Sequence, residues 1–152
     1  MSTNKPKTIP VEVLHKEIDL IQDIIKRMAN NSFLIKGWMI SVFTAAMVLL
    51  KDKILTDAML FISPTIIFAI AAFWYIDAFF LHKEKCYRAL YDHVISNIQE
   101  GSRAVYSLDY RPFQKSEESV FDIMINNTVW PFYVIPILLN FAAILYVLTA
   151  TG

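Results

Sequence analysis

Histidine and cysteine are the first side chains to consider, because they bind metals and serve as acids, bases and nucleophiles. His82 and Cys86 are four residues apart, a spacing that puts two potential zinc ligands on one face of a helix. Two ligands do not make a zinc site, and Cys86 is the only cysteine. The glycines form no phosphate-binding loop, and no serine or cysteine has the sequence pattern of an activated nucleophile. We therefore expect no metal, no cofactor and no enzymatic activity.

A second pair with possible chemistry is Arg88 and His93, which form an Arg-x4-His arrangement in the stretch RALYDH. This arrangement resembles the short motif of HEPN-type ribonucleases, in which paired subunits contribute an arginine and a histidine. The resemblance implies that Arg88 and His93 assist attack of a ribose 2′-hydroxyl on the neighbouring phosphate. The competing interpretation, which we favour, is the solvated face of a basic helix.

Two charged residues and one carboxamide interrupt the apolar stretches: Lys36, Asp77 within FWYIDAFF, and Asn140. For Lys36 and Asp77 three interpretations are open, namely an ion pair between antiparallel helices, separate extension of each side chain to the membrane surface, or lining of an ion path by Asp77. An ion pair would lower the cost of holding either charge below the lipid headgroups. Asn140 favours an interhelical or intersubunit hydrogen bond, with pore lining as the alternative.

The elements that position these residues are long apolar segments. The chain has 152 residues, of which 56% are hydrophobic and 14% aromatic, more apolar surface than one small soluble core can bury. Three segments, at about 33–50, 58–81 and 129–148, approach the roughly 20 residues that a helix needs to cross a bilayer. The sequence therefore predicts an all-α membrane protein with three transmembrane helices.

Amphipathic sequence precedes the first span and follows the second. A helix at about 10–31 carries apolar residues in alternating steps of three and four, namely Val11, Leu14, Ile18, Ile21, Ile25 and Met28. A second helix at about 82–100 continues from span two, and Gly101 is placed to end it. We expect both helices to pack their apolar faces on each other, on another subunit or on the membrane surface.

The remaining segments are short. Residues 1–9 are predicted to be a flexible tail, and residues 10–152 to form a single helical membrane domain. The stretch SRAVYSLDYR, 102–111, is compatible with a loop or one short strand. A third cytoplasmic helix is predicted at about 117–127, with Ser116 as its N-cap.

The distribution of basic residues predicts the orientation. Lys and Arg number 14, as do Asp and Glu, so no overall basic charge favours a nucleic-acid partner. Basic residues concentrate before span one and between spans two and three, whereas the 51–57 link has only Lys51 and Lys53 and the C-terminal tail has none. This pattern places the N-terminus and the central region in the cytoplasm and the C-terminus outside.

Two blocks, IQDIIKRMANNSFLIKGW and FWYIDAFFLHKEKCYRALYD, resemble an uncharacterised family of small bacterial inner-membrane proteins. The resemblance covers roughly residues 20–95. Its marked positions are Asn31, Ser32, Phe33, Lys36, Trp38, Trp74, Asp77, Arg88, Leu90, Tyr91 and Asp92. More loosely, the chain is similar to the SLATT class of two-span effectors of bacterial conflict and antiphage systems, from which it departs by a third span. The resemblance implies a multi-pass protein of the bacterial inner membrane with a role in phage defence.

These observations favour a non-enzymatic, homo-oligomeric inner-membrane protein. We expect it to act as a pore-forming or depolarising effector whose gate is the packing of its cytoplasmic helices. Its partners would be the lipid bilayer, other copies of itself, and a soluble protein or small-molecule trigger on the cytoplasmic side. The alternative is a non-conducting membrane anchor that recruits a soluble partner, and a membrane-tethered HEPN-like ribonuclease is less favoured.

Overall fold

The computed structural model describes residues 9–50, 58–97 and 105–151, and this part of the chain contains helices, turns and loops but no strand. In these described ranges four α-helices follow one another: α1 (Val11–Leu50), α2 (Ala58–Ser96), α3 (Val120–Met124) and α4 (Trp130–Thr151). A 3-10 turn, Arg111–Phe113, lies between α2 and α3. The all-helical prediction is confirmed for the described residues. The predicted tail 1–9 lies almost wholly outside them, as do the 51–57 link and Gly101.

Helices α1 and α2 form a long antiparallel hairpin. Each is about 60 Å long at 1.5 Å per residue, roughly twice the thickness of a bilayer hydrocarbon core. The predicted helix 10–31 and span 33–50 are therefore one continuous helix, and span 58–81 likewise runs on into the helix predicted at 82–100. No proline or glycine separates the polar half from the apolar half of α1 except Gly37, which lies within the helix.

The polar halves of the hairpin pack on each other through their apolar stripes. Ile21 of α1 is buried against Leu90 and Val94 of α2. The surrounding partly buried residues are Leu14, Ile18, Ile25, Tyr87, Tyr91, Leu108 and Phe113. Of the three packing partners considered for the first amphipathic stripe, the structure shows the second helix of the same chain.

The apolar halves of α1 and α2 meet α4 in a second core. Its buried members are Met39, Ile70, Ala78, Ile123, Val129 and Tyr133. Among the described residues, two helical segments are long and apolar enough to cross a membrane, Val11–Leu49 and Ile62–Ser96, while the apolar part of α4, Trp130–Tyr146, is shorter. The two long segments are mostly not buried in the protein. In the most apolar window of each, only 11% of Val11–Leu49 and 17% of Ile62–Ser96 is buried.

The connection between α2 and α4 differs from the sequence prediction. Residues 105–110 form a turn and loop, one of the two alternatives for this stretch, with Tyr106 in the left-handed region at φ 63°. The predicted helix 117–127 is only the five-residue α3, and its N-cap is Ser119 instead of Ser116. The reason is a capping box: Asp122 lies three residues after Ser119, and each side chain bonds the other residue's backbone N–H.

Candidate functional site

Asp77 is the centre of a buried polar cluster that joins three helices. Its side chain is fully buried and accepts hydrogen bonds from Ser32 at 2.5 Å, Lys36 at 2.8 Å and Tyr133 at 3.0 Å. Lys36 Nζ also lies 2.6 Å from the second carboxylate oxygen. We call Ser32, Lys36, Asp77 and Tyr133 the Asp77 cluster.

Helix periodicity places the two α1 members. Ser32 and Lys36 are four residues apart, so both face α2, and Lys36 Nζ donates to Ser32 Oγ at 2.9 Å. Ser32 therefore accepts from the ammonium while it donates to the carboxylate. The Lys36 side chain keeps 18% of its surface exposed, whereas that of Asp77 has none. The charge of Asp77 thus depends on Lys36 for neutralisation.

The α4 member is fixed by aromatic packing. The Tyr133 ring stacks on Trp74 with centroids 5.8 Å apart and planes 6° from parallel. Trp74 lies about one turn before Asp77 on α2, and its indole N–H donates to the carbonyl of Met124 in α3 at 3.0 Å. Trp74 therefore connects the Asp77 cluster to α3 and holds the Tyr133 hydroxyl on the carboxylate.

A second buried polar contact joins α2 and α4 about 20 Å farther along α2. Ser63 donates to the side-chain oxygen of Asn140, and both residues are fully buried. The side-chain nitrogen of Asn140 is buried and has no hydrogen-bond partner among the described residues. Leaving a buried amide donor unpaired costs about 1–3 kcal/mol. The hydrogen bond between Ser63 and Asn140 is therefore offset by this cost.

His82 and Cys86 contact each other, but as part of a packing arrangement. A carbonyl can only accept, so His82 Nδ1 donates to Glu118 O at 2.8 Å, and His82 Nε2 faces the Cys86 sulfur at 3.6 Å. Burial raises the pKa of the Cys86 thiol, which favours the protonated form. Within residues 9–50, 58–97 and 105–151, no group of three or more His, Cys, Asp or Glu side chains could hold a metal ion.

Arg88 and His93 lie apart on the surface of α2. Arg88 pairs with Glu84 at 2.7 Å, while His93 packs on the Phe113 ring with centroids 5.6 Å apart. Arg88 lines a cavity of about 370 Å³ between α1 and α2, and His93 lines a separate cavity of about 370 Å³ against the loop before α3. The structure does not bring the two candidate ribonuclease residues together within one chain.

Sequence reasoning identified Lys36, Asp77 and Asn140 as intramembrane polar residues, but it did not place Ser32, Tyr133 or Ser63 beside them; Ser32 entered only as a marked position of the family resemblance. Ser32 had a usable signal, because it precedes Lys36 by four residues and so shares its helix face. Ser63 is a hydroxyl residue inside an apolar segment, which is a weaker signal. Tyr133 had none, since its contact with Asp77 depends on how α4 docks on α2.

No protein-family model, curated protein or solved structure matches this chain.

Proposed function

We propose that this protein is an oligomeric membrane protein of three spans, formed by the apolar parts of α1, α2 and α4, and that it acts as a pore-forming or depolarising effector. The observation that carries the proposal is the Asp77 cluster, an ionisable pair held inside an apolar helical bundle. Charged side chains within membrane-spanning segments are costly and usually mark a functional site.

The exposed apolar surface supports the membrane location. In the core helix of a soluble protein the most apolar residues are buried, whereas the two long segments here bury only 11% and 17% of theirs. On α4, Leu138, Leu139 and Leu145 are all more than half exposed. Such a surface requires lipid, other copies of the chain, or both.

The unpaired amide of Asn140 supports self-association. A polar group in hydrocarbon finds its partner on a neighbouring helix, and no described residue at the contact between α2 and α4 partners this donor. If the contact between α2 and α4 repacks against another subunit during assembly, polar residues of that subunit become available to the Asn140 amide. A chain of this size also needs several copies to enclose a pore.

The orientation follows the basic residues, with the polar halves of α1 and α2 in the cytoplasm and the C-terminus outside. The bacterial inner membrane and the antiphage role rest on the resemblance given above. In this arrangement the packed stripes of the hairpin form the gate, because α1 and α2 are continuous from their polar halves into their apolar halves. A trigger shifts the gate only if it binds one packing better than the other.

The cavity between the polar halves favours the alternative of a membrane anchor. It is lined by Gln22, Ile25, Lys26, Arg88, Tyr91 and Asp92, a mixture of both charges with an aromatic ring. Such a lining is suited to a peptide segment of a soluble partner. In the anchor function the same hairpin recruits that partner and conducts nothing.

Membrane potential separates conduction from anchoring. We expect expression of the wild-type chain in bacteria, with and without phage infection, to lower the potential reported by a voltage-sensitive dye. The control variant is Leu139→Met, which keeps an apolar side chain beside Asn140. At equal membrane abundance it should depolarise the cells as strongly as the wild type. An unchanged potential at high wild-type expression in both conditions would contradict the pore-forming function and leave the anchor.

A further inference from the structure

The position of α3 along α2 is fixed by two contacts. Just before α3, the carbonyl of Glu118 accepts from His82, and at its end the carbonyl of Met124 accepts from Trp74. The chain therefore descends beside α2 from His82 to Trp74, a distance of about 12 Å along the α2 axis. Asp77 lies between these two residues. Since span two is predicted to end at Leu81, α3 lies at the depth of the last two turns of that span rather than above the membrane.

The two faces of α3 differ sharply in exposure. Ile123 is only 2% exposed and packs in the core with Ala78, Val129 and Tyr133. Phe121 and Ile125, the residue directly after α3, are 71% and 70% exposed, and the N–H of Ile125 donates to Phe121 O, so the two lie one turn apart. A large aromatic and a β-branched aliphatic side chain thus point away from the protein at the level of the Asp77 cluster.

Other exposed aromatic residues lie at a similar depth, because Lys36 bonds Asp77. Phe33 and Trp38, which flank Lys36 on α1, are 74% and 63% exposed, and Trp130 at the start of α4 is 38% exposed. Aromatic side chains concentrate where a membrane protein meets the headgroup region. Phe121 and Ile125 therefore extend the same band across the α3 side of the molecule.

Several backbone groups at the two ends of this short segment are partnered by the protein itself. The capping box partners Ser119 N and Asp122 N at the start of α3. At its end, Met124 O accepts from Trp74, and Asn126 O accepts from the backbone N–H groups of Val129 and Trp130. Backbone groups partnered in this way do not each need a water molecule, which suits a segment at the headgroup boundary rather than in the hydrocarbon.

We propose that α3 is an interfacial anchor, with Phe121 and Ile125 inserted into the headgroup and acyl boundary of the cytoplasmic leaflet. The partner of this surface is lipid. The inference rests on the proposed membrane location and adds to it a contact between lipid and the segment that holds Trp74 and, through Tyr133, the Asp77 cluster. Membrane insertion of α3 thereby stabilises the arrangement in which α4 is docked on α2.

Spin labels on the full-length chain in vesicles of phosphatidylethanolamine and phosphatidylglycerol test the proposal. Ile125→Cys is the test position, Leu139→Cys on α4 the lipid reference, and Asp23→Cys on the polar half of α1 the water reference. Native Cys86 is buried, so the unsubstituted chain measures background labelling. Relaxation by oxygen, which concentrates in lipid, is compared with relaxation by a water-soluble nickel chelate. Phe121→Cys provides a second test position if the Ile125 variant does not fold.

The expected result is that the Ile125 label prefers oxygen over the nickel chelate, at an immersion of about 5–10 Å, between the two references. A label that matches Asp23 while Leu139 is lipid-exposed would overturn the anchor and leave the membrane protein intact. A label shielded from both reagents would also overturn it, because protein then covers the surface. If the Leu139 label is water-exposed, the membrane location itself fails, and the anchor with it.

Discussion

The Asp77 cluster and the Ser63–Asn140 pair are both buried between α2 and its neighbours, but they differ in how completely their polar groups are partnered. Both oxygens of Asp77 accept hydrogen bonds, and the charge of Lys36 balances that of the carboxylate. At the other site Asn140 has one partner, Ser63, and an amide nitrogen with none among the described residues. One site is complete within a single chain, and the other is not.

The two sites therefore differ in what they contribute to stability. Removing one member of the Asp77 cluster leaves a buried group without its partner, so the packing of α1, α2 and α4 depends on the whole cluster. The Ser63–Asn140 pair adds less to the protomer, because the unpaired amide offsets the gain from its single hydrogen bond. We therefore expect mutations in the Asp77 cluster to act on folding, and mutations at Asn140 to act on assembly.

The largest effect is expected for the ion pair. Lys36→Met leaves the buried Asp77 carboxylate without its countercharge, which should lower the free energy of unfolding in mild detergent by about 3 kcal/mol. Asp77→Asn should cost less, because Lys36 is 18% exposed and can turn toward water. Thermal unfolding of the purified variants would measure both.

The double variant Lys36→Met with Asp77→Asn is the decisive comparison for the ion pair. Removing both charges leaves no uncompensated group, so the double variant should lose less than the sum of the two single variants. Lys26→Met is a matched control, since the Lys26–Asp23 pair is exposed and contributes little. Strictly additive losses would mean that Lys36 and Asp77 do not interact in the folded protein.

An intermediate effect is expected for Tyr133→Phe. This change removes one donor to the carboxylate, worth about 1.5–3 kcal/mol for a charged acceptor, while it preserves the ring stacked on Trp74. Tyr146→Phe on the exposed surface of α4 is the control and should be neutral. Unfolding at equal temperatures for both variants would show that the Tyr133 hydroxyl does not bind Asp77.

The helical elements could be predicted because they depend on local pattern. Apolar runs of sufficient length and the alternating stripe on α1 reflect the period of the helix, which the sequence carries directly. The ion pair was one of three open interpretations, since Lys36 and Asp77 lie at similar depths of two antiparallel helices. The start of α3 was misplaced by three residues, because Ser116 and Ser119 both precede acidic residues and only Ser119 has Asp122 at the capping-box distance.

What the sequence could not supply is the docking of α4 and the depth of α3. Both depend on contacts between distant residues, such as Tyr133 with Asp77 and Trp74 with Met124, that no local pattern encodes. Asn140 was recognisable as a polar residue inside an apolar segment. The sequence did not show that only the side-chain oxygen of Asn140 has a partner. This follows from the structure, in which the Ser63 hydroxyl of α2 donates to that oxygen.

The smallest effect on folding is expected for Asn140→Leu. The change removes an amide whose nitrogen is unpaired, and the freed Ser63 hydroxyl can bond to a carbonyl one turn earlier in α2, so protomer stability should change by less than about 1 kcal/mol. Assembly should respond differently if another subunit supplies the missing partner. Native mass spectrometry in detergent should then show fewer high-order complexes for Asn140→Leu than for the wild type or for Leu139→Met. An unchanged oligomer distribution would mean that the Ser63–Asn140 pair acts only within the protomer. The proposed division, in which the Asp77 cluster acts on folding and Asn140 on assembly, would then be wrong.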